Sequence, residues 1–136
     1  MDIHTYPFSI PVEVVFRDVD AFTHVNNAVY FTYFETARIK FITHALGVER
    51  ANEIPLILAE AACTYKTPAY MGELLLVGMR VSHVGTKSFH MEYEVTSRTD
   101  GRMIALGRTV QVMFDYDTGQ TIPIPDDLRA TLHKYR

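Results

Sequence analysis

The sequence predicts an α+β domain in which a curved antiparallel β-sheet wraps around one long central α-helix. Three observations carry this: a first apolar run with a period of two, one long run at helical spacing, and four later strand-like runs separated by short turn signals. Residues 1–136 form a single domain in this reading, because the chain has the length of one ordinary domain and shows no repeat, linker or low-complexity segment.

From Phe8 to Phe16 the even positions Phe8, Ile10, Val12, Val14 and Phe16 are apolar, with Ser9, Pro11 and Glu13 between them, the period of a strand with one buried face. Pro11 suits an edge or a strand start. Tyr30, Tyr33, Phe34, Ala37, Phe41 and Ala45 then fall at helical spacing and Gly47 offers a stop, which predicts a helix over 27–46 with Asn26 or Asn27 at its N-cap. Val29, Phe31, Ile39 and Ile42 make its opposite side apolar as well, so the helix should be largely enclosed. Ile57 to Lys66, Glu73 to Gly85, Ser88 to Arg98 and Arg102 to Tyr116 read as strands, broken by the turn signals TPAYMG, VGTK and TDG. Asp117 to Gly119 makes a further turn, and PDDLRATLHKY predicts a short C-terminal helix capped by Asp126.

The composition narrows the function classes. Hydrophobic residues make up 48% of the chain and charged residues 21%, the balance of an ordered globular protein. A net charge of -3 with no Lys/Arg run gives no field for a phosphate backbone, so no nucleic acid partner is expected. The single Cys63 excludes an internal disulfide framework, fits a reducing compartment, and sits in a predicted strand as a buried structural thiol. Pro7 and Pro11 interrupt the N-terminal run where a secretion signal would need apolar continuity, and no stretch is long enough to span a bilayer. A cytoplasmic protein without membrane insertion is expected. The sequence contains no GxSxG, Walker, GxGxxG or HExxH signature. Asp18, Asp20 and His24 offer metal-ligand atoms, but no second cluster joins them, so no metal is expected.

The chemistry concentrates in DVDAFTHVNNAVY, residues 18–30, where Asp18, Asp20, His24, Asn26 and Asn27 meet between the first strand and the helix. Capping accounts for an Asn at the helix start, but it does not account for two carboxylates upstream in a loop that feeds the positive end of a long helix. Unpaired N–H groups there can polarise a carbonyl. An ionised Asp20 facing such a carbonyl could attack its carbon or deprotonate a water that does, and a thioester would suit so mild a base.

The stretch RDVDAFTHVNNAVYFTYFETAR, Arg17 to Arg38, resembles the hotdog-fold thioesterases of the 4-hydroxybenzoyl-CoA thioesterase-like group, which includes bacterial long-chain acyl-CoA thioesterases. The resemblance continues through YKTPAYMGELLLV and VGTKSF and covers nearly the whole chain. It implies a curved sheet around a central helix, in agreement with the element order, and a homodimer with active sites at the interface, commonly paired again into a dimer of dimers. It further implies Asp20 as the catalytic carboxylate and the backbone N–H of Asn27 as the oxyanion donor, with Asp18 in support. Lys87 and Ser88 match the place where family members contact the pantetheine and phosphates of coenzyme A, which is part of the acyl-CoA substrate; no separate cofactor is expected. Phe22, Tyr30 and Phe34 are candidates for an acyl tunnel and equally for core. Glu35 and Arg38 are read as an ion pair, with Glu35 the fallback acid, and His24 as a structural histidine. Many members have Gly where Thr23 stands, which bears on the loop's backbone angles.

The expected function is hydrolysis of acyl-CoA, or an acyl carrier protein thioester, to free acid and thiol. The alternative is a hotdog protein that binds an acyl thioester without cleaving it. Dehydration of a 3-hydroxyacyl thioester would want a His/Asp or His/Glu pair, and His44 lies too near the helix end to supply it.

Overall fold

Along the predicted strand 88–98 every second residue is large and apolar, and Phe89, Met91, Tyr93 and Val95 are indeed buried, forming the floor of the core. The computed structural model describes residues 6–50 and 53–136. In chain order it contains β1 (Phe8–Glu13), α1 (Val29–Leu46), β2 (Leu56–Tyr65), β3 (Leu74–Val84), β4 (Ser88–Ser97), β5 (Met103–Asp115), β6 (Gln120–Thr121) and α2 (Asp126–Lys134). The strands lie in the order β1-β3-β4-β5-β2, each pair antiparallel, and β6 extends a hairpin from β5.

A flat five-stranded sheet is about 19 Å across and a helix about 10 Å. Yet α1 contacts β3 and also both edge strands, β1 and β2, so the sheet curves around it. Tyr30, Tyr33, Phe34, Ala37, Phe41 and Ile42 are the helix's buried residues. Phe34 stacks on Tyr93 at a centroid distance of 4.7 Å, and Phe41 meets Phe8 and the α2-end residue Tyr135 edge-on. Gly107 of β5 makes the close approach feasible, because a Cβ there would run into the Phe34 ring. At its far end α1 stops at Gly47, whose φ of 68° lets its N–H close on Thr43 O at 2.8 Å.

Three boundaries differ from expectation. β1 ends at Glu13 rather than Phe16: Val14 bonds outside the ladder to Gly72 and Glu73, and a short 3₁₀ turn over Phe16–Asp18 swings the chain away, leaving Phe16 exposed. The helix begins at Val29, two residues later than the asparagine pattern suggests, with Ala28 in the N-cap position. Asn26 still prepares that start, accepting the Ala28 N–H on Oδ1 and the Val29 N–H on its carbonyl. Pro125, not Asp126, occupies the N-cap position of α2, and Asp126 is the first helical residue, where its charge still meets the helix dipole favourably.

Gly107→Ala should destabilise the fold by about 1–3 kcal/mol, the usual cost of forcing a methyl into a filled core. Urea unfolding followed by circular dichroism measures it, and an unchanged midpoint would show that Phe34 can move aside.

Candidate active site

The loop from Asp18 to Asn27 is held from both ends. Val19 pairs with Val25, His24 pairs with Tyr70, and the Val25 N–H donates to Ala69 O at 2.9 Å. Asp18 ties the loop down: its Oδ2 accepts the Val15 N–H and the Tyr33 hydroxyl, each at 3.0 Å, and its carbonyl accepts the Asn26 N–H. Burial and the neighbouring Asp18 charge push the Tyr33 phenol well above its ordinary range, so it stays a donor. Asp20 differs. Its Oδ1 accepts the Phe22 N–H at 2.8 Å, which orients the carboxylate, while its Oδ2 takes no hydrogen bond from the described residues.

Between Asp20 and His24 the chain reverses tightly, with the Thr23 N–H donating to Asp20 O and the Asp20 N–H to His24 O. Thr23 adopts a φ of 70° to close this turn, in the left-handed region that a β-branched residue rarely enters. A glycine at this position would adopt the same φ without that penalty.

Asn27 lies one residue outside the helix N-cap. Its N–H donates to no described group; the Asn26 carbonyl of the same peptide accepts the Val29 N–H, and the Asn27 carbonyl, in the next peptide, accepts the Tyr65 hydroxyl at 2.8 Å. Asp20 and Asn27 line one cavity of about 390 Å³, together with Phe22, His24, Tyr30 and Tyr65. Its wall is mostly apolar, and burial pushes the Tyr30 phenol up to about 12. His24 lies against Phe22 and Tyr70 and its Nδ1 is 3.3 Å from the Val25 carbonyl, a packed position consistent with a structural role.

The other side of the cavity is the segment Lys66 to Pro68, which a polar clamp secures. Arg102 donates to both carboxylate oxygens of Glu73 (2.8 and 3.0 Å), to Pro68 O and to Asp100. Glu73 also accepts the Tyr70 N–H and the Ser97 hydroxyl. Burial alone would raise the Glu73 carboxyl, but these bonds and the Arg102 charge outweigh it and hold it below the usual range.

Asp20 and Asn27 therefore come together, and Phe22 and Tyr30 join them, whereas Phe34 is core. Lys87 and Ser88 sit elsewhere, at the β3–β4 turn, roughly 30 Å along the sheet from the Asp20 end of β3. There Lys87 Nζ donates to Thr121 Oγ1 at 3.2 Å and the Ser88 carbonyl accepts the Gly85 N–H. The expected Glu35–Arg38 pair does not form; Arg38 instead donates to the Tyr93 hydroxyl at 3.4 Å. His44 stacks near Phe8 toward the opposite end of α1. Among the described residues no three His, Cys, Asp or Glu side chains gather as a metal centre would need. Tyr65, Glu73 and Arg102 carry positioning roles that the sequence reading did not assign, although Tyr65 opens the stretch YKTPAYMG that shares in the family resemblance.

Comparison with known proteins identifies the family. The family model described as the thioesterase-like superfamily matches residues 14–132. A thioesterase from Thermus thermophilus, solved in complex with coenzyme A and Zn, is 32% identical, with a TM-score of 0.85 over 94% of this chain and 98% of that one. A thioesterase superfamily protein from Jannaschia sp. CCS1 is 30% identical, with a TM-score of 0.85 over 96% of this chain and 83% of that one. The long-chain acyl-CoA thioesterase FadM of Escherichia coli (strain K12) is 24% identical over 85% of this chain and 89% of its own length. The chain belongs to the thioesterase-like superfamily, and the class of protein that its hotdog fold and family define is a thioester hydrolase.

Thr23→Gly should stabilise the protein by roughly 0.5–1 kcal/mol, since relief of the left-handed penalty exceeds the entropy glycine adds to the unfolded chain. A rise in thermal midpoint checks it, and a fall would mean that the Thr23 hydroxyl, which donates to Phe22 O, matters more than the backbone strain.

Proposed function

We propose that the chain hydrolyses acyl-CoA thioesters, with Asp20 as general base or nucleophile and the Asn27 N–H as the donor that polarises the thioester carbonyl. The observation that carries this reading is one cavity lined by both an anchored carboxylate with a free oxygen and a helix-start amide with no acceptor among the described residues. A carbonyl held at Asn27 N–H gains hydrogen-bond strength as its oxygen becomes negative, and the dipole of the 18-residue α1 adds to that gain. The free Asp20 oxygen either takes a proton from water attacking the carbonyl carbon, or attacks that carbon itself to give an anhydride that water then opens. In both routes the carbon–sulfur bond breaks and coenzyme A leaves as thiolate, which takes up a proton. The E. coli relative is a long-chain acyl-CoA thioesterase, which favours a fatty acyl group and a place in lipid metabolism.

The working unit in this proposal is a dimer. β2 is a ten-residue edge strand whose outer side has no partner among the described residues, and Ile57, Leu58 and Tyr65 on it are exposed. Such an edge is a pairing surface. Antiparallel pairing of two β2 edges sets the Tyr65 end of one protomer, which carries Asp20 and Asn27, beside the Leu56 end of the other. Leu56 pairs with Met113, whose N–H donates to Lys87 O, so this arrangement brings the partner's Lys87 and the partner's Ser88 toward the site from across the interface. Pairing of two such dimers and a cytoplasmic setting complete the reading.

Asp20→Asn should lower thiol release from a long-chain acyl-CoA at least a hundredfold, a typical loss for a general acid–base group, with the oligomer intact. Undiminished turnover would sink the assignment, and thermal stabilisation by acyl-CoA with no thiol released by wild-type protein would favour the non-hydrolysing alternative. Ile57→Lys on the β2 edge should convert the dimer to monomer in light scattering; an unchanged dimer mass would remove β2 as the interface.

A further inference from the structure

Three large apolar side chains stand far into solvent at the end of the molecule where β1 finishes and β3 begins: Phe22 is 76% exposed, Phe16 72% and Met71 60%. Each sits on a different turn. Phe16 opens the 3₁₀ turn after β1, Phe22 lies in the reversal between Asp20 and His24, and Met71 precedes Gly72, whose φ of 87° helps close the turn into β3. The backbone ties these turns to one another: the Gly72 N–H donates to Val14 O, the Val14 N–H donates to Glu73 O, and His24 pairs with Tyr70. Val15, Tyr70 and Leu74 are exposed between them, so the six side chains make one apolar patch.

The patch has a cationic rim. Arg17 follows Phe16, the Arg98 N–H donates to Leu74 O, and Lys66 lines the Asp20 cavity with Phe22. All three cations are exposed, and none has an ion-pair partner among the described residues. Most carboxylates nearby are engaged: Asp18 accepts from Val15 and Tyr33, Glu73 and Asp100 are held by Arg102, and Asp20 lines the cavity. Glu13, exposed at the end of β1, is the counter-charge that remains. A chain of net charge -3 thus carries a locally positive apolar face.

We propose that this face docks the protein on an anionic phospholipid bilayer, with Phe16, Phe22 and Met71 dipping into the headgroup region and Arg17, Arg98 and Lys66 against the lipid phosphates. A protein partner would need a pocket matched to each of three knobs on separate turns, whereas a fluid headgroup layer admits them at any spacing. Cations just behind the knobs meet the negative surface potential of such a bilayer. Phe16, Met71 and Leu74 also belong to the β1–β3 side of the sheet, the edge opposite β2, so a β2 dimer leaves them uncovered. The docking is peripheral, since no helix among the described residues is long and apolar enough to cross a membrane. Phe22 also lines the Asp20 cavity, so docking sets that cavity at the lipid surface, where a long-chain acyl-CoA partitions; this consequence alone rests on the hydrolase reading.

The test is flotation of the full chain with vesicles of mixed phosphatidylglycerol and phosphatidylcholine, and with vesicles of phosphatidylcholine alone, at low salt. No acyl-CoA is present, so a failure of the hydrolase reading leaves the result standing. Wild-type protein should bind the anionic vesicles at least tenfold more tightly than the neutral ones, and about 1 M salt should remove most of that preference. Phe16→Ser with Met71→Ser should weaken binding to anionic vesicles at least tenfold, the range expected for two lost apolar anchors. Arg17→Gln with Arg98→Gln should cut the anionic-over-neutral preference about tenfold while the apolar anchors stay. All four positions are exposed, so an unchanged thermal midpoint confirms that each variant folds. Wild type that binds neither vesicle or both equally, or variants that bind as wild type does, overturns the proposal. So does a fall in oligomer mass for the Phe16/Met71 variant in light scattering, which would assign the patch to a second copy. Binding of an acidic acyl carrier protein in place of vesicles, lost in both variants, would assign it to a protein partner and overturn the proposal as well.

Discussion

The rest of the structure depends on how closely α1 approaches the sheet at Gly107. With no Cβ at that position, the Phe34 ring settles against β5 and stacks on Tyr93 of β4. The helix then lies deep enough for both edge strands to reach it, and the sheet must curve. Curvature in turn delivers the helix N-terminus to the end of the sheet where β1 finishes and β3 begins, the place where the polar loop crosses. Tyr33, one residue before Phe34 on the same helix, bonds Asp18 and so links core packing directly to that loop.

The loop itself is a short reversal over-determined by its surroundings. Pairing of Val19 with Val25 and of Val25 with Ala69 leaves the intervening residues little freedom, and Thr23 accepts a left-handed backbone as the consequence. The opposite wall is set by the Glu73–Arg102 clamp, which joins the segment after β2 to the β4–β5 turn. Asp20 and Asn27 thus owe their shared cavity to two independent anchors, one in the helix and one across the sheet. This arrangement suits chemistry that needs a carboxylate and an amide held still against one carbonyl.

The β2 side has the opposite character. Its strand is long, apolar and unpaired on its outer edge among the described residues, and the compartments between it and α1 open toward that edge. Polar residues on the inner face of β5 line those compartments where simple packing would have placed aliphatic ones. Asp20 and Asn27 therefore share a cavity within a single chain, while the β2 side is left open along an edge that a second strand could cover.

By itself the sequence determined the element order, the strand with the cleanest alternation, the enclosed helix with its Gly47 stop, and the polar stretch whose Asp20 and Asn27 line one cavity. All of these are written in neighbouring residues: a period of two or of 3.6, a turn signal, a motif within about twenty positions. Tertiary structure alone decided that Tyr65 holds the Asn27 carbonyl, that Arg102 secures the wall of the site through Glu73, that Arg38 turns to Tyr93 instead of Glu35, and that Lys87 lies at the far end of the sheet. The Tyr65, Arg102 and Arg38 contacts join residues 29 to 55 positions apart, and the place of Lys87 follows from the run of a whole strand. They exist because the sheet curves around α1, and no local pattern in the chain records how far a sheet will curve.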